Sequence, residues 1–500
     1  PLRRRGGAAA VLPEAERARV LEALRATALK TTDKEVRAAA LRALGRTGDD
    51  TDADLLLKTL RSRRQDDDVL VAAAIALGTL PRIESAALRE EVRAFYDDVL
   101  TGKAYLPART RDLTIMTLAL RAREDRRIAA SLAARLERKP DGTYHTCALL
   151  YASGLTGDPS FLPMLLDAAR VGRLGRERLH DMARSHAALA LGLLGDGAAA
   201  ETLASLLAAR RVQVDTKRSA ALALGLLLRD RDLAPEPRAV AETALLKAQR
   251  SRDPLTQGFA CVAIGTAARP FGIAELQGAV RDADSVVRPF AALALGCAAR
   301  TMPEVEAVAV RGYLYRQLGQ SRDIELSAAL AIAVGLGGAA EAREHLLARL
   351  DKERMNPAVR GPSIQGLGLL GRPSREIETA LVAALDEEAD EIVEDACIAL
   401  GFLGTRSTAR LLVDKLGSTT SESVQAHMVA ALSHLGGSAA LDPLMDLLAD
   451  PDVKPRARVS AASALGILAD PREDDPLFRI DSATNAYALT TASRTLVLVY

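Results

Sequence analysis

The string ALALGLLGD at Ala188–Asp196 returns as ALALGLLL at 221–228, ALALGCAA at 292–299 and IALGFLGT at 398–405. A catalytic motif seldom recurs along one chain. A packing motif recurs wherever the same contact is rebuilt. Aligned on its first glycine, the string has thirteen copies, anchored at Gly45, Gly78, Arg121, Gly154, Gly192, Gly225, Gly265, Gly296, Gly335, Gly368, Gly401, Ser433 and Gly466. Six of the twelve intervals are 33 residues and the others run from 31 to 43. A period in that range predicts a solenoid, because each unit is too small to bury its own apolar face and must stack on the next.

The unit reads as two helices. Twelve residues before the anchor stands a helix-capping residue in seven copies: Asp33, Asp66, Asp253, Asp284, Asp323, Asn356 and Ser421. Such side chains accept hydrogen bonds from the first unpaired N–H groups of a helix. Three residues after the anchor stands Gly48, Gly157, Gly195, Gly338, Gly371, Gly404 or Gly436, the position of a left-handed helix stop. About 14 residues lie between, roughly 21 Å of helix. A second helix follows each stop, as in Ala198–Arg210. A glycine inside a helix costs about 1 kcal/mol relative to alanine. Its recurrence predicts a neighbouring helix packed on bare backbone.

Composition agrees. Apolar residues make up 49% of the 500, yet aromatics are 3% and Trp is absent, so the core is one of Ala, Leu and Val between closely spaced helices. The net charge of +1 excludes a uniformly basic protein. The longest apolar run, Ser219–Leu228, falls short of the roughly 20 residues of a membrane span. Cys147, Cys261, Cys297 and Cys397 are far apart with no CxxC, and each takes an alanine-like core position.

The Asp-x-x-Val-Arg-like starts (Asp33–Arg37, Asp284–Arg288), the Ala-Leu-Gly seam and the Leu-Gly-Asp stop resemble HEAT repeats, above all the short HEAT-like repeats of bacteria. The resemblance covers about residues 13–470. It implies an all-α solenoid, a superhelix of about thirteen antiparallel helix pairs. It also implies a binding scaffold more readily than an enzyme. Residues 1–30 are expected to form a capping helix, 31–470 the repeats, and 471–500 a C-terminal cap. Exported proteins with such repeats carry cleaved signals. The resemblance thus leans toward a periplasmic or envelope location, with cytoplasm as the alternative. The chain opens PLRRRGG without Met, and the expectation is a processed or incomplete N-terminus.

Irregular insertions fall near 82–110 and 169–183. The first holds Phe95, Tyr96 and Tyr105, read either as an exposed aromatic loop that grips a partner or as a lengthened helix. The second carries Arg170, Arg173, Arg176, Arg178 and Arg184, a basic loop suited to an anion or simply to solvent.

Catalytic and metal signatures are weak. Gly366, Gly368 and Gly371 match GxGxxG, but as anchor and stop of a repeat rather than as a turn between strand and helix. HEAT-like hydroxylases with a di-iron centre use His-Glu pairs. This chain has none, and the nearest pair is the reversed Glu344-His345. HEAT-like bilin lyases share the resemblance and stand as the enzyme alternative. His180, Asp181 and His186 form one small group, His427 and His434 another, and neither supplies the three or four ligands of a metal site. No cofactor is expected.

Eight residues before the anchor, the position expected to face outward along a concave surface reads basic in six copies: Arg37, Arg184, Lys217, Arg288, Arg360 and Arg458. This ladder suits an acidic protein partner. Alternatively, each cation pairs with a turn aspartate such as Asp49 or Asp196. With layers roughly 8–10 Å apart, thirteen units predict an arc of about 110–130 Å, long enough for protein partners or a place in a larger assembly. Nucleic acid is a poorer match, since the whole chain is near neutral. Residues 1–250 hold 42 basic against 33 acidic residues, and 251–500 hold 24 against 32. That asymmetry suggests salt-sensitive head-to-tail self-association.

Overall fold

A computed structural model describes residues 12–470, apart from 139–141, 353–355, 372, 404–405, 417–418 and 436–439. In chain order the helices begin with α1 (Glu14–Lys30), α2 (Lys34–Thr47), α3 (Asp50–Arg61), α4 (Asp67–Thr79), α5 (Ala86–Thr101) and α6 (Ala108–Ala119). They continue as α7 (Arg126–Leu136), α8 (Thr143–Leu155), α9 (Leu162–Val171), α10 (Asp181–Leu194), α11 (Ala200–Ala208) and α12 (Val214–Leu227). Next come α13 (Pro235–Ala248), α14 (Pro254–Gly265), α15 (Ile273–Asp282), α16 (Val287–Thr301), α17 (Glu304–Gln320) and α18 (Ile324–Gly337). The last are α19 (Ala342–Lys352), α20 (Pro357–Leu369), α21 (Arg375–Ala384), α22 (Asp390–Leu403), α23 (Arg406–Leu416), α24 (Glu422–Leu435), α25 (Leu441–Ala449) and α26 (Pro455–Leu468). The strands described are two-residue β1 (Arg173–Leu174) and β2 (Glu177–Arg178), an antiparallel hairpin between α9 and α10. The fold is an all-α solenoid of helix pairs.

The even-numbered helices, α6 excepted, carry the anchors and form the buried layer. Every residue from Leu326 to Gly335 in α18 is buried, as expected of a helix enclosed on all sides. The odd-numbered helices are amphipathic. In α11, for instance, Ala200, Leu203, Leu206 and Leu207 are buried while Glu201 is exposed.

The anchor glycines explain the repeat. A Cβ on Gly192 would sit 2.5 Å from the Ala223 Cα, and one on Gly154 would sit 2.5 Å from the Ala190 carbonyl. Gly45 likewise abuts Ala76, Gly265 abuts Ala294 and Gly368 abuts Ala399. In each case the partner is the small residue two positions before the next anchor. The Ala-x-Gly of the recurring string is thus both halves of one contact: glycine admits the next helix, and alanine fits against the glycine before it.

Asp33, Asp66, Asp253 and Asp323 accept bonds from first-turn N–H groups of α2, α4, α14 and α18. Ser421 accepts from Val424 N at 3.4 Å. Asn356 takes the cap position without a side-chain bond, and Asp284 accepts from Val286 ahead of α16. Gly157, Gly195, Gly338 and Gly371 adopt positive φ. Gly48 departs from the expectation, with φ −72°. It is required for room, because a Cβ there would lie 2.6 Å from the Asp52 carboxylate. Gly404 and Gly436 lie outside the described residues.

The fold comprises two compact units. One holds residues 1–88 and 315–500, the other Arg89–Leu314. In the second, α6, α8, α10, α12, α14 and α16 stack in order. Here the copy without glycine, Arg121, follows α6 in a short 3₁₀ turn, buried and paired with Glu124. In the first unit α18, α20, α22, α24 and α26 stack in order, α2 packs on α4, and α26 packs on α2.

No spacing in the sequence predicts that last contact. The first and last repeats are neighbours. Gly466 meets Ala43 as the other anchors meet their successors, and Arg19 reaches Asp442 at 2.6 Å. Helix α1 packs on α2 and also on α25, so the expected N-terminal cap is the outer helix of the first pair and lies against the last repeats. The proposed C-terminal cap, 471–500, lies outside the described residues.

Candidate functional site

The six ladder residues stand on six helices: Arg37 on α2, Arg184 on α10, Lys217 on α12, Arg288 on α16, Arg360 on α20 and Arg458 on α26. The structure does not turn them outward. Arg360 is buried and the other five are half-buried. Arg184 donates from Nε to Ala169 O at 2.7 Å and from Nη2 to Arg170 O at 2.8 Å, in the last turn of α9. Arg288 Nε donates to Val280 O at 2.9 Å in α15, and Arg458 Nε to Leu448 O at 3.1 Å in α25. Arg37 reaches Thr31 O beyond α1. Gln425, at the same position in its repeat, donates to Thr419 O at 2.8 Å.

The physical reason is the helix C-terminus. Its last carbonyls have no intrahelical partner and carry partial negative charge, which a cation one helix later satisfies. Arg360 pairs instead with Glu387, and Lys217 makes no such bond among the described residues. The turn aspartates are engaged elsewhere. Asp49 caps α3 and binds Arg25 at 2.8 Å, and Asp196 accepts from Ala198 N. Four of the six ladder residues, Arg37, Arg184, Arg288 and Arg458, are thus helix-end clasps.

Much of the aromatic insertion is helix α5, with Tyr105 in the irregular segment that follows it. Phe95 and Tyr96 lie in α5, buried, with Tyr96 Oη donating to Ile115 O at 3.2 Å. Burial pushes the Tyr96 phenol above its ordinary pKa. Tyr105 alone of the three is exposed, at 71%. The expectation of an exposed aromatic loop is therefore corrected at Phe95 and Tyr96, because α5 takes up residues 86–101 of the insertion and its apolar face takes both rings.

The basic loop is the β1–β2 hairpin. Gly172 and Gly175 supply the positive φ values of its turns. Arg170, Arg173, Arg176 and Arg178 are exposed, whereas Arg184 is drawn into the clasp described above. Arg173 and Arg178 are cross-strand partners. Like charges placed directly opposite each other destabilise a hairpin. Among the described residues neither these two nor Arg176 forms an ion pair.

The histidines act separately. His180 caps α10 by accepting from Met182 N, His186 bonds Met182 O and meets Tyr151 edge-on, and His427 bonds Ser423 O. The side chain of His434 lies outside the described residues. Among the described residues no three His, Cys, Asp or Glu side chains gather as a metal site would require. His345 stacks edge-on against Tyr315 and Glu344 is exposed. Gly366 and Gly368 lie inside α20. Cys147, Cys261 and Cys397 are buried and Cys297 is half-buried; burial pushes the thiols up, to about 11 at Cys147 and about 12 at Cys261.

One cluster has no counterpart in the sequence reading. In the second unit, Arg111 (α6), Arg135 and Arg138 (the end of α7) and His145 (α8) line a cleft of about 250 Å³ at the C-terminus of α5. The available signal was the excess of basic residues between 101 and 150, ten against five acidic.

These elements define a solenoid protein built from paired helices, with clasps at the helix ends and a basic hairpin at the surface. The family model described as HEAT repeats matches residues 4–92 and 409–496, and among the described residues of these stretches α2 packs on α26 in the first unit. No curated protein matches the chain in sequence. Similar solved structures include human deoxyhypusine hydroxylase in complex with glycerol, at 19% identity over 63% of this chain and 98% of that one, with a TM-score of 0.25. The structure in which Kap95p binding induces the switch loops of RanGDP to adopt the GTP-bound conformation is 12% identical, over 97% of this chain and 66% of that one, with a TM-score of 0.36. An engineered protein is 17% identical over 90% and 98%, with a TM-score of 0.29. No helix among the described residues is long and apolar enough to cross a membrane.

Proposed function

We propose that the protein is a non-enzymatic scaffold for other proteins, and that the β1–β2 hairpin docks an acidic segment of a partner. The carrying observation is the pairing of Arg173 with Arg178 across the hairpin, beside exposed Arg176. This arrangement costs folding energy when the hairpin is free, and a carboxylate-rich segment would relieve it. The ladder residues contribute by holding α9, α15 and α25 in place. The cationic groups of Arg37, Arg184, Arg288 and Arg458 are committed to helix ends, so they shape the surface more than they contact a partner.

Affinity capture with the wild-type chain and with the R173E/R176E/R178E variant, followed by mass spectrometry, tests the reading. One or more proteins with acidic segments should be retained by the first and lost with the second, and retention should fall as salt rises. Identical capture by both would overturn the hairpin assignment. Steeply salt-dependent capture of nucleic acid in place of protein would move the assignment to a polyanion binder.

A further inference from the structure

The seam between α20 and α22, in the first unit, combines a weakened helix with a buried carboxyl group. Helix α20 carries Pro362 in its interior and glycine at 361, 366 and 368. A proline there offers no N–H to the carbonyl four residues back, that of Ala358, and its ring crowds that oxygen, which favours a kink. Each glycine weakens the helix further. The carboxyl belongs to Asp395 of α22. A Cβ on Gly361 would collide with it, so the glycine leaves a notch beside Pro362 in which Asp395 sits. Asp395 accepts from Gln365 Nε2 and forms no ion pair among the described residues. The other end of the same amide, Gln365 Oε1, is buried without a hydrogen-bond partner among those residues.

An ionised carboxylate only accepts hydrogen bonds, whereas the protonated group also has an O–H to donate. The orphan Oε1 is the acceptor that such an O–H needs, and a carboxylic acid can satisfy a primary amide with one bond in each direction. Ionisation removes that donor and leaves a charge in the seam. Burial pushes the Asp395 carboxyl up to about 7, and Glu394 and Glu391 on the same helix add repulsion. The elements around it supply other charged groups. Arg360 of α20 pairs with Glu387, and Lys415 of α23 pairs with Asp386. On α24, Glu422 pairs with Lys454, and His427 Nδ1 lies 3.8 Å from Glu394 Oε1. On α21, Arg375 is exposed, Glu376 lies 3.9 Å from Arg343, and Glu378 accepts from Thr408.

We propose that the α20–α22 seam is a proton-operated flex point of this unit, closed while Asp395 carries a proton and loosened, with α20 yielding at Pro362, once Asp395 ionises. Hydrogen–deuterium exchange of the intact chain, read by mass spectrometry across the acid-to-neutral range and corrected for the intrinsic pH dependence of exchange, tests this. An opened seam returns the carboxyl to its ordinary range near pH 4. Opening of α20 and α22 should therefore rise by up to about tenfold per pH unit until about pH 7, and level off above. Helices α10 and α12, whose seam buries the hydroxyl pair of Ser185 and Thr216, should show no such rise. Asp395→Asn should hold α20 and α22 at one level of opening throughout, whereas His427→Gln should keep the rise. A flat wild-type profile, or a rise shared equally by every helix of the unit as in global unfolding, would overturn the proposal. So would a rise that persists in Asp395→Asn or vanishes in His427→Gln. Should Asp395→Asn fail to fold, the wild-type and His427→Gln profiles decide the question: a rise confined to α20 and α22 in both supports the flex point, and any other pattern overturns it.

Discussion

Gly466 in the last repeat lies against Ala43 in the first, so close that a Cβ on the glycine would stand 2.8 Å from both the Ala43 Cα and its methyl. The same register joins Gly192 to Ala223 and Gly154 to Ala190 within the chain's interior. Around the terminal seam Arg19 meets Asp442 and Arg46 lies 3.6 Å from Asp470. Residues from opposite ends of the sequence therefore share one core.

Widening this seam has a defined consequence. Gly466→Val forces α26 away from α2 and should lower the melting temperature by several degrees, as overpacking costs about 1–3 kcal/mol. The two freed faces remain complementary, so the variant should also form head-to-tail oligomers at high concentration. Circular dichroism melts and sedimentation velocity read both effects. An unchanged melt with a monomeric profile would show that α26 does not rest on α2 in solution.

The clasps separate stability from binding. Arg288→Met keeps much of the side chain's bulk but leaves the Val280 carbonyl without its donor, so urea denaturation should show a loss of about 1 kcal/mol. Arg360→Glu removes the partner of the half-buried Glu387 and sets a second, buried acid beside it, and should cost about 3 kcal/mol or more. An Arg360→Glu variant as stable as wild type would show that the pair is not formed.

Acid–base behaviour should centre on Asp395. Its carboxylate accepts from Gln365 Nε2 and packs on Gly361, and burial pushes its pKa up to about 7, with Glu394 and Glu391 adding repulsion. The folded chain then holds a proton that the unfolded chain releases near pH 4. Stability contributed by this group falls as pH rises from about 4 to about 7, by at most about 1.4 kcal/mol per pH unit, and levels off above. Asp395→Asn should flatten that slope and raise the melting temperature at pH 8. Identical pH profiles for the two proteins would place Asp395 in contact with water.

The ring pair in α5 should behave as core. Phe95→Ala should cost about 3–5 kcal/mol, and Tyr96→Phe about 1 kcal/mol through the lost bond to Ile115 O. Partner capture by Tyr96→Phe should match wild type, whereas lost capture by a stably folded Tyr96→Phe would return this segment to the binding surface.

Local rules were legible from the residues. The spacing of Ala-x-Gly reports a helix pressed on a helix, because glycine inside a helix is unfavourable unless something occupies the missing Cβ. Asp33, Asp66, Asp253 and Asp323 mark helix starts for an equally local reason, the unpaired N–H groups of the first turn. The basic hairpin was legible as a loop, although its two-residue strands were not, since two residues set no alternation. The ladder was legible as a pattern but not as a role. Whether Arg184 faces solvent or the end of α9 depends on where α9 stops relative to α10, a matter of packing between helices.

The cleft of Arg111, Arg135, Arg138 and His145 joins residues of three helices and a turn whose relative placement no spacing records. The first repeat's meeting with the last was hidden for a different reason. Every copy carries the same complementary faces, so the sequence determined how any repeat grips its neighbour. Only the tertiary structure decided that the neighbour of Gly466 is Ala43, because that choice depends on the rotation accumulated from one helix pair to the next.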